Sequence, residues 1–240
     1  YIRDYELSGK SRDQLKNLKG LFKNKILPKI PTKEVDKLQY KHMLDMIESY
    51  PNLSQSAKNR YFAYLRAVFN WGIQHDYTSV NPLQKWKMGK EKPRRFELSE
   101  KEISKLLKHC PPHLKLAIQT TFYLGLRPGK SELFALRWDG VDFERQEVSI
   151  FATKTNQRRT IPIPDAFLPV LRKAKRQAQT PYVIEYNGKQ VLRVSTSLKN
   201  ALKKAGIDKS FRLYDLRHMY ATYMMNSGGD LAAVSAMLGH

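Results

Sequence analysis

The residues best suited to chemistry lie late in the chain. Positions 211–222 read Phe-Arg-Leu-Tyr-Asp-Leu-Arg-His-Met-Tyr-Ala-Thr, and positions 238–240 read Leu-Gly-His. Tyr214 and Arg217 are three apart, so they share a helix face, with His218 one step round. A Gly228-Gly229 break separates this helix from a second short one, and the turn can bring His240 back towards the first. Arginine offers a planar, permanently charged fork, and histidine donates or accepts near neutral pH, so the set suits a phosphate. Taken alone, the same residues also fit a helical hairpin with solvated Arg and His. Two upstream segments shift the balance: Arg127, held between Gly125 and Gly129 directly after an apolar helix, and Lys154, at the tip of a hairpin turn.

These residues need a scaffold, and the apolar pattern supplies one. Leu15, Leu18, Phe22 and Ile26 recur at helical spacing up to Pro28. Thr32 is a plausible cap for a second helix with Val35, Leu38, Met43 and Ile47 facing inwards. Ser54 opens the longest stripe, Ala57, Tyr61, Leu65, Val68, Phe69 and Ile73, which Asn81-Pro82 closes. Lys58, Arg60 and Arg66 lie off it, either as a solvated face or as contacts to a nucleic-acid backbone. Residues 85–97 have no apolar period and six basic residues, among them Lys92, Arg94 and Arg95, and read as a linker. The expected organisation is therefore a helical domain over 1–84, a basic linker over 85–97 and a second domain over 98–240.

The second domain starts with a capping box, Ser99 with Glu102, before Ile103, Leu106 and Leu107. Pro111-Pro112 ends that helix, and 114–124 is an apolar core helix. Residues 141–143, 148–151 and 159–163 read as short strands, with Lys154 in the turn between the last two. Helices follow over 166–178 and 195–205, with an Asn187-Gly188 hairpin between them. Mainly α with a small antiparallel sheet is the fold class this implies.

Charge narrows the partners. The 240 residues carry 43 Lys and Arg against 22 acids, a formal +21, which points to a polyanion, nucleic acid first. Residues 1–97 hold 20 of the basic and 10 of the acidic residues, so both halves are basic and both can touch one polymer. Cys110 is the only cysteine, which excludes a disulfide framework and a cysteine-rich zinc site and fits a reducing compartment. No apolar run approaches the ~20 residues of a membrane span.

Read together, Arg127, Lys154, Tyr214-x-x-Arg217-His218 and Leu238-Gly239-His240 resemble the catalytic domain of the tyrosine recombinases, the lambda-type phage integrases. Gly125, Leu126, Arg127, Glu132, Leu133, Leu136, Arg137, Trp138, Val141 and Asp142 match that family's first box, and the N-terminal half is similar to its helical core-binding domain. Two residues are inserted between Arg127 and Glu132, which predicts a longer loop. Tyr214 stands where the family has histidine, and phenol, with a reference pKa of ~10, is a poor proton shuttle near neutral pH. The resemblance places the nucleophilic tyrosine beyond residue 240; Tyr220 and Tyr223 are expected to be packing residues.

The resemblance implies site-specific recombination of double-stranded DNA through a 3′-phosphotyrosine intermediate, in a homotetramer on DNA, in the cytoplasm of a bacterial host at the nucleoid. It implies catalytic roles for Arg127, Lys154, Tyr214, Arg217 and His240, with Glu132 and His218 supporting them. It implies neither metal nor cofactor, no small-molecule substrate and no membrane. Two other readings stand beside it. A metal-dependent nuclease would use Asp139, Asp142 and Glu144, which otherwise serve a turn. A non-catalytic relic would hold DNA without cutting it.

Overall fold

The computed structural model describes residues 1–9, 12–31, 34–91, 98–152 and 157–239. They fall into two compact units, Tyr1–Arg94 and Arg95–His240. Among the described residues, no helix is long and apolar enough to cross a membrane.

The first unit is helical: α1 (Ile2–Leu7), α2 (Arg12–Leu21), α3 (Tyr40–Glu48) and α4 (Gln55–Gln74). Leu18, Phe22 and Ile26 are buried as their spacing predicts, but Phe22–Ile26 winds as a π turn and Leu27–Lys29 as a 3₁₀ turn that admits Pro28. The second predicted helix starts later than expected. Thr32 lies outside the described residues, Val35–Lys37 forms a separate turn with Val35 exposed, and α3 begins after Gln39. Asp36 Oδ1 accepts from Thr78 Oγ1 at 2.7 Å, which ties that turn to the loop after α4.

Ser54 caps α4, its Oγ accepting from the Ala57 N–H at 3.2 Å. The buried face is rotated from the predicted stripe: Asn59, Phe62, Leu65, Phe69 and Gly72 face inwards, while Ile73 is exposed. The cause is the segment read as linker, whose first part packs on this helix. Trp86 meets Phe62 edge-on with ring centroids 5.3 Å apart, and Asn59 Nδ2 donates to Gly89 O at 2.8 Å. A Cβ at Gly89 would come within 2.2 Å of Gln55 Nε2, so that side chain would have to move aside.

In the second unit Ser99 and Glu102 close the predicted capping box over α5 (Glu100–Lys108). Next, α6 (Pro112–Leu124) has proline in its first turn, where no N–H is needed, and ends on Gly125 in the left-handed conformation. Strands β1 (Val141–Asp142), β2 (Glu147–Ala152) and β3 (Gln157–Pro162) form one antiparallel sheet in that order. Val148, Ile150, Ile161 and Ile163 point from it into the core. After α7 (Leu168–Gln177), the hairpin of β4 (Glu185–Tyr186) and β5 (Lys189–Gln190) turns through Asn187 and Gly188, both at positive φ. Helices α8 (Ser195–Lys204), α9 (Leu213–Asn226) and α10 (Leu231–Leu238) complete the unit. The α9 helix packs along α6, and Tyr220 is buried in that interface region, whereas Tyr223 is exposed rather than packed.

Candidate active site

Glu132 is the centre around which the site is built. Its side chain is wholly buried, and three arginines, from the loop after α6, from β3 and from α9, converge on it. Arg127 Nη1 stands 3.0 Å from Oε1, Arg159 Nη2 2.7 Å from Oε2, and Arg217 Nη1 3.6 Å from Oε2. Such a cluster forms only where the carboxylate offsets part of the mutual repulsion, and it leaves a local excess of two positive charges.

The chain reaches this arrangement by a sharp turn. Gly125, at φ +60°, ends α6; a Cβ there would lie 2.5 Å from Tyr220 Cδ1, so glycine lets α9 approach. Leu126 is buried and Arg127 follows it, with its guanidinium mostly covered. The two extra residues before Glu132 form the expected longer loop, closed by Leu133 N–H to Arg127 O at 3.2 Å and Phe134 N–H to Gly129 O at 3.0 Å. Glu132 therefore still returns to Arg127, accepting its backbone N–H at 2.9 Å.

Arg217 comes from α9 and is nearly inaccessible. Its Nη1 donates to Gly125 O at 2.8 Å and its Nη2 to Leu238 O. Arg127 Nη2 donates to Gly239 O at 2.8 Å, and Arg159 Nε to Met237 O at 2.8 Å. Three successive carbonyls at the negative end of α10 are thus each capped by one of the three arginines. Burial alone would push the Glu132 carboxyl up, but the Arg159 hydrogen bond, the Arg127 N–H and the charges of Arg159 and Arg217 together hold it below its ordinary value. Burial lowers Arg217, with Glu132 pulling the other way.

The structure thus brings Arg127, Glu132 and Arg217 together. Tyr214 and His218 sit outside this buried cluster: both are exposed, and their rings meet edge-on at 5.0 Å. Tyr214 and Arg217 share a helix face in sequence, yet one is in solvent and the other in the core. Tyr214 also borders a groove of about 1100 Å³ that includes Pro128, Gly129, Arg193, Lys199 and Arg212. Lys154 and His240 lie outside the described residues, as do Lys92, Arg94 and Arg95. In the first unit Arg60 and Arg66 are exposed and Lys58 is half-buried.

Two of the carboxylates that a nuclease would need, Asp139 and Asp142, are otherwise engaged. Asp142 Oδ1 accepts from the N–H groups of Glu144 and Arg145 at 3.0 and 2.9 Å, and Asp139 pairs with Arg137 at 3.0 Å. Sequence reasoning missed Arg159, which it treated only as a strand residue. The signal was present: side chains alternate along a strand, so Arg159 shares the inward face of Ile161 and Ile163. A charge on a buried face needs a partner, and Glu132 is that partner.

A sequence model of the phage integrase family matches residues 97–240, which contain every member of this cluster. The chain belongs to the phage integrase family. Among relatives of the family, it is 30% identical over 190 residues to a tyrosine recombinase of Thermosipho africanus, covering 76% of this chain and 66% of that one. It is also 30% identical over 200 residues to the tyrosine recombinase XerC of Xylella fastidiosa, covering 78% and 67%. The match thus spans about two thirds of the length of these relatives. Solved integrase structures share the fold. A lambda integrase dimer bound to a COC′ core site superposes with a TM-score of 0.86 at 20% identity, covering all of this chain and 92% of that one. The Tn1549 transposon integrase in complex with circular intermediate DNA gives 0.79 at 18% identity, covering 100% and 90%.

Proposed function

We propose that this protein is a site-specific DNA recombinase that cleaves and rejoins strands through a 3′-phosphotyrosine intermediate. The observation that carries the proposal is the placing of Arg127 and Arg217 on one buried carboxylate, although 90 residues separate them in sequence. Relatives named as tyrosine recombinases, and folds solved on DNA, support it.

In this mechanism a tyrosine oxygen attacks the scissile phosphorus, the P–O bond to the 5′-oxygen breaks, and that oxygen leaves with a proton. Negative charge grows on the non-bridging oxygens, where Arg127 and Arg217 act as the clamp; losing one such donor costs ~2.7–4 kcal/mol of barrier. Lys154 supplies the proton. His240 completes the phosphate's surround, and Tyr214 donates a hydrogen bond at its rim in place of the family's histidine. Attack by a 5′-hydroxyl of another strand reverses the step and restores both phosphodiesters, so the bond energy is conserved and no nucleotide cofactor is consumed.

Arg60 and Arg66 in the first unit, with Lys58, are proposed contacts to the DNA backbone, as are Lys92, Arg94 and Arg95. One related structure is a lambda integrase tetramer bound to a Holliday junction. A tetramer on DNA is correspondingly proposed for this protein.

The test uses a nicked DNA substrate that traps the covalent intermediate, and a form of the protein carrying a tyrosine downstream of His240. An SDS-stable adduct is expected that persists in chelator. Arg127→Ala and Arg217→Ala should abolish it while most DNA affinity remains, because that affinity is spread over many charges. Cleavage that requires added magnesium and leaves no adduct would return the argument to a nuclease; binding without any cleavage would favour the relic.

A further inference from the structure

We propose that Arg159 is a positioning residue that locks Glu132 to the last turn of α10, so that the two clamping arginines and the chain leaving Gly239 are held in one register. The inference rests on the recombinase reading for its catalytic consequence, but not for its structural one.

Three observations carry it. Each of the three guanidinium nitrogens of Arg159 has a protein partner: Nη1 and Nη2 reach Glu132 Oε1 and Oε2 at 3.3 and 2.7 Å, and Nε reaches Met237 O at 2.8 Å. Its contacts run to Glu132 and to the end of α10, so the role proposed for it is exerted through those groups. Second, Glu132 is the one group that Arg127, Arg159 and Arg217 have in common, so whatever fixes its two oxygens fixes the separation of the outer two arginines. Third, Gly239 lies against Arg159: at φ +71° it ends α10, and a Cβ there would come 2.7 Å from Arg159 Nη1. The glycine of the Leu-Gly-His motif is thus matched to the arginine as well as to the helix end.

The chemistry demands arginine. A lysine has one terminal nitrogen and cannot both fork a carboxylate and reach a carbonyl on another element. Arg159 also stands two residues into β3, directly after the segment that holds Lys154. The same side chain therefore ties β3, which follows Lys154 in sequence, to the end of α10, which precedes His240.

The experiment compares Arg159→Ala and Arg159→Lys with the wild type in the full-length protein. Single-turnover adduct formation at saturating DNA is expected to fall roughly 10- to 100-fold in both, the loss that a shift of about 1 Å produces, while the Kd for DNA stays within about threefold. Hydrogen exchange at the amides of residues 236–239 should speed up in both variants; this arm needs no catalysis and decides the structural claim if the wild type forms no adduct. Arg159→Lys keeps the charge and the aliphatic stem, and so tests the fork should the alanine variant fail to fold. An adduct rate within threefold of wild type in the lysine variant, or unchanged exchange at 236–239, would overturn the proposal. So would a loss of DNA affinity as large as the loss of rate.

Discussion

Glu132 shows how much one buried acid can organise. Removing it leaves three converging, mostly covered guanidinium groups without the carboxylate they share. Glu132→Ala is therefore expected to destabilise the second unit by about 3–5 kcal/mol, read as a fall in the denaturant midpoint. The acid limb of stability follows from the same contacts. The folded carboxyl is held below its unfolded value, so its contribution is complete above an unfolded pKa of ~4.3 and is lost as pH falls from there through the lower folded value. Glu132→Gln should be less stable at neutral pH and lose less on acidification. Thermal melts between neutral pH and about pH 3 compare the slopes; parallel wild-type and variant curves would contradict the assignment.

At the scale of elements, the site depends on how α6 ends and how closely α9 approaches. Gly125 performs both tasks, since it takes a left-handed conformation and leaves room for the Tyr220 ring. Its carbonyl also accepts from Arg217, so a shift of this turn reaches the clamp directly. An alanine here bears the left-handed penalty of ~1–2 kcal/mol and must also displace Tyr220. Gly125→Ala should accordingly lower stability by at least about 1–2 kcal/mol, and adduct formation should fall more than DNA affinity. Gly129→Ala is the control, because a Cβ at Gly129 meets nothing within 4 Å. Equal losses in the two variants would show that the turn is not selective.

At the scale of the whole molecule, the formal charge of +21 is divided over two compact units, so DNA binding should be both strong and dependent on salt. If the pair covers ~6–10 phosphates, affinity should drop by roughly 10³–10⁵ between 50 and 200 mM salt, as a titration of fluorescent duplex DNA would report. A flat response would sink the DNA proposal. Expressed separately, each unit should unfold cooperatively and bind DNA far more weakly than the joined chain, since tethering makes the second contact intramolecular. Because Trp86 and Gly89 pack on α4, the division belongs nearer residue 94 than residue 84, and a first unit ending at residue 84 should melt earlier than one ending at residue 94.

What the sequence determined by itself is local. The Ser54 and Ser99 caps, the proline stop after α5, the Asn187-Gly188 turn and the alternating strands follow from groups a few residues apart, so spacing alone reveals them. The family pattern added Arg127, Glu132 and Arg217 as members of one site. Tertiary structure decided whatever depends on partners distant in the chain. Asn59 became a core residue only because Gly89 returned to bond it, which turned the face of α4. Tyr214 and Arg217, neighbours on one helix face, ended in solvent and in the core because burial is set by what packs on α9, not by α9. Arg159 could be placed on the inward face by its strand period, but nothing local says that Glu132, 27 residues earlier, would be there to receive it. A charge can be buried only when its counter-charge arrives with it, and that meeting is a property of the fold.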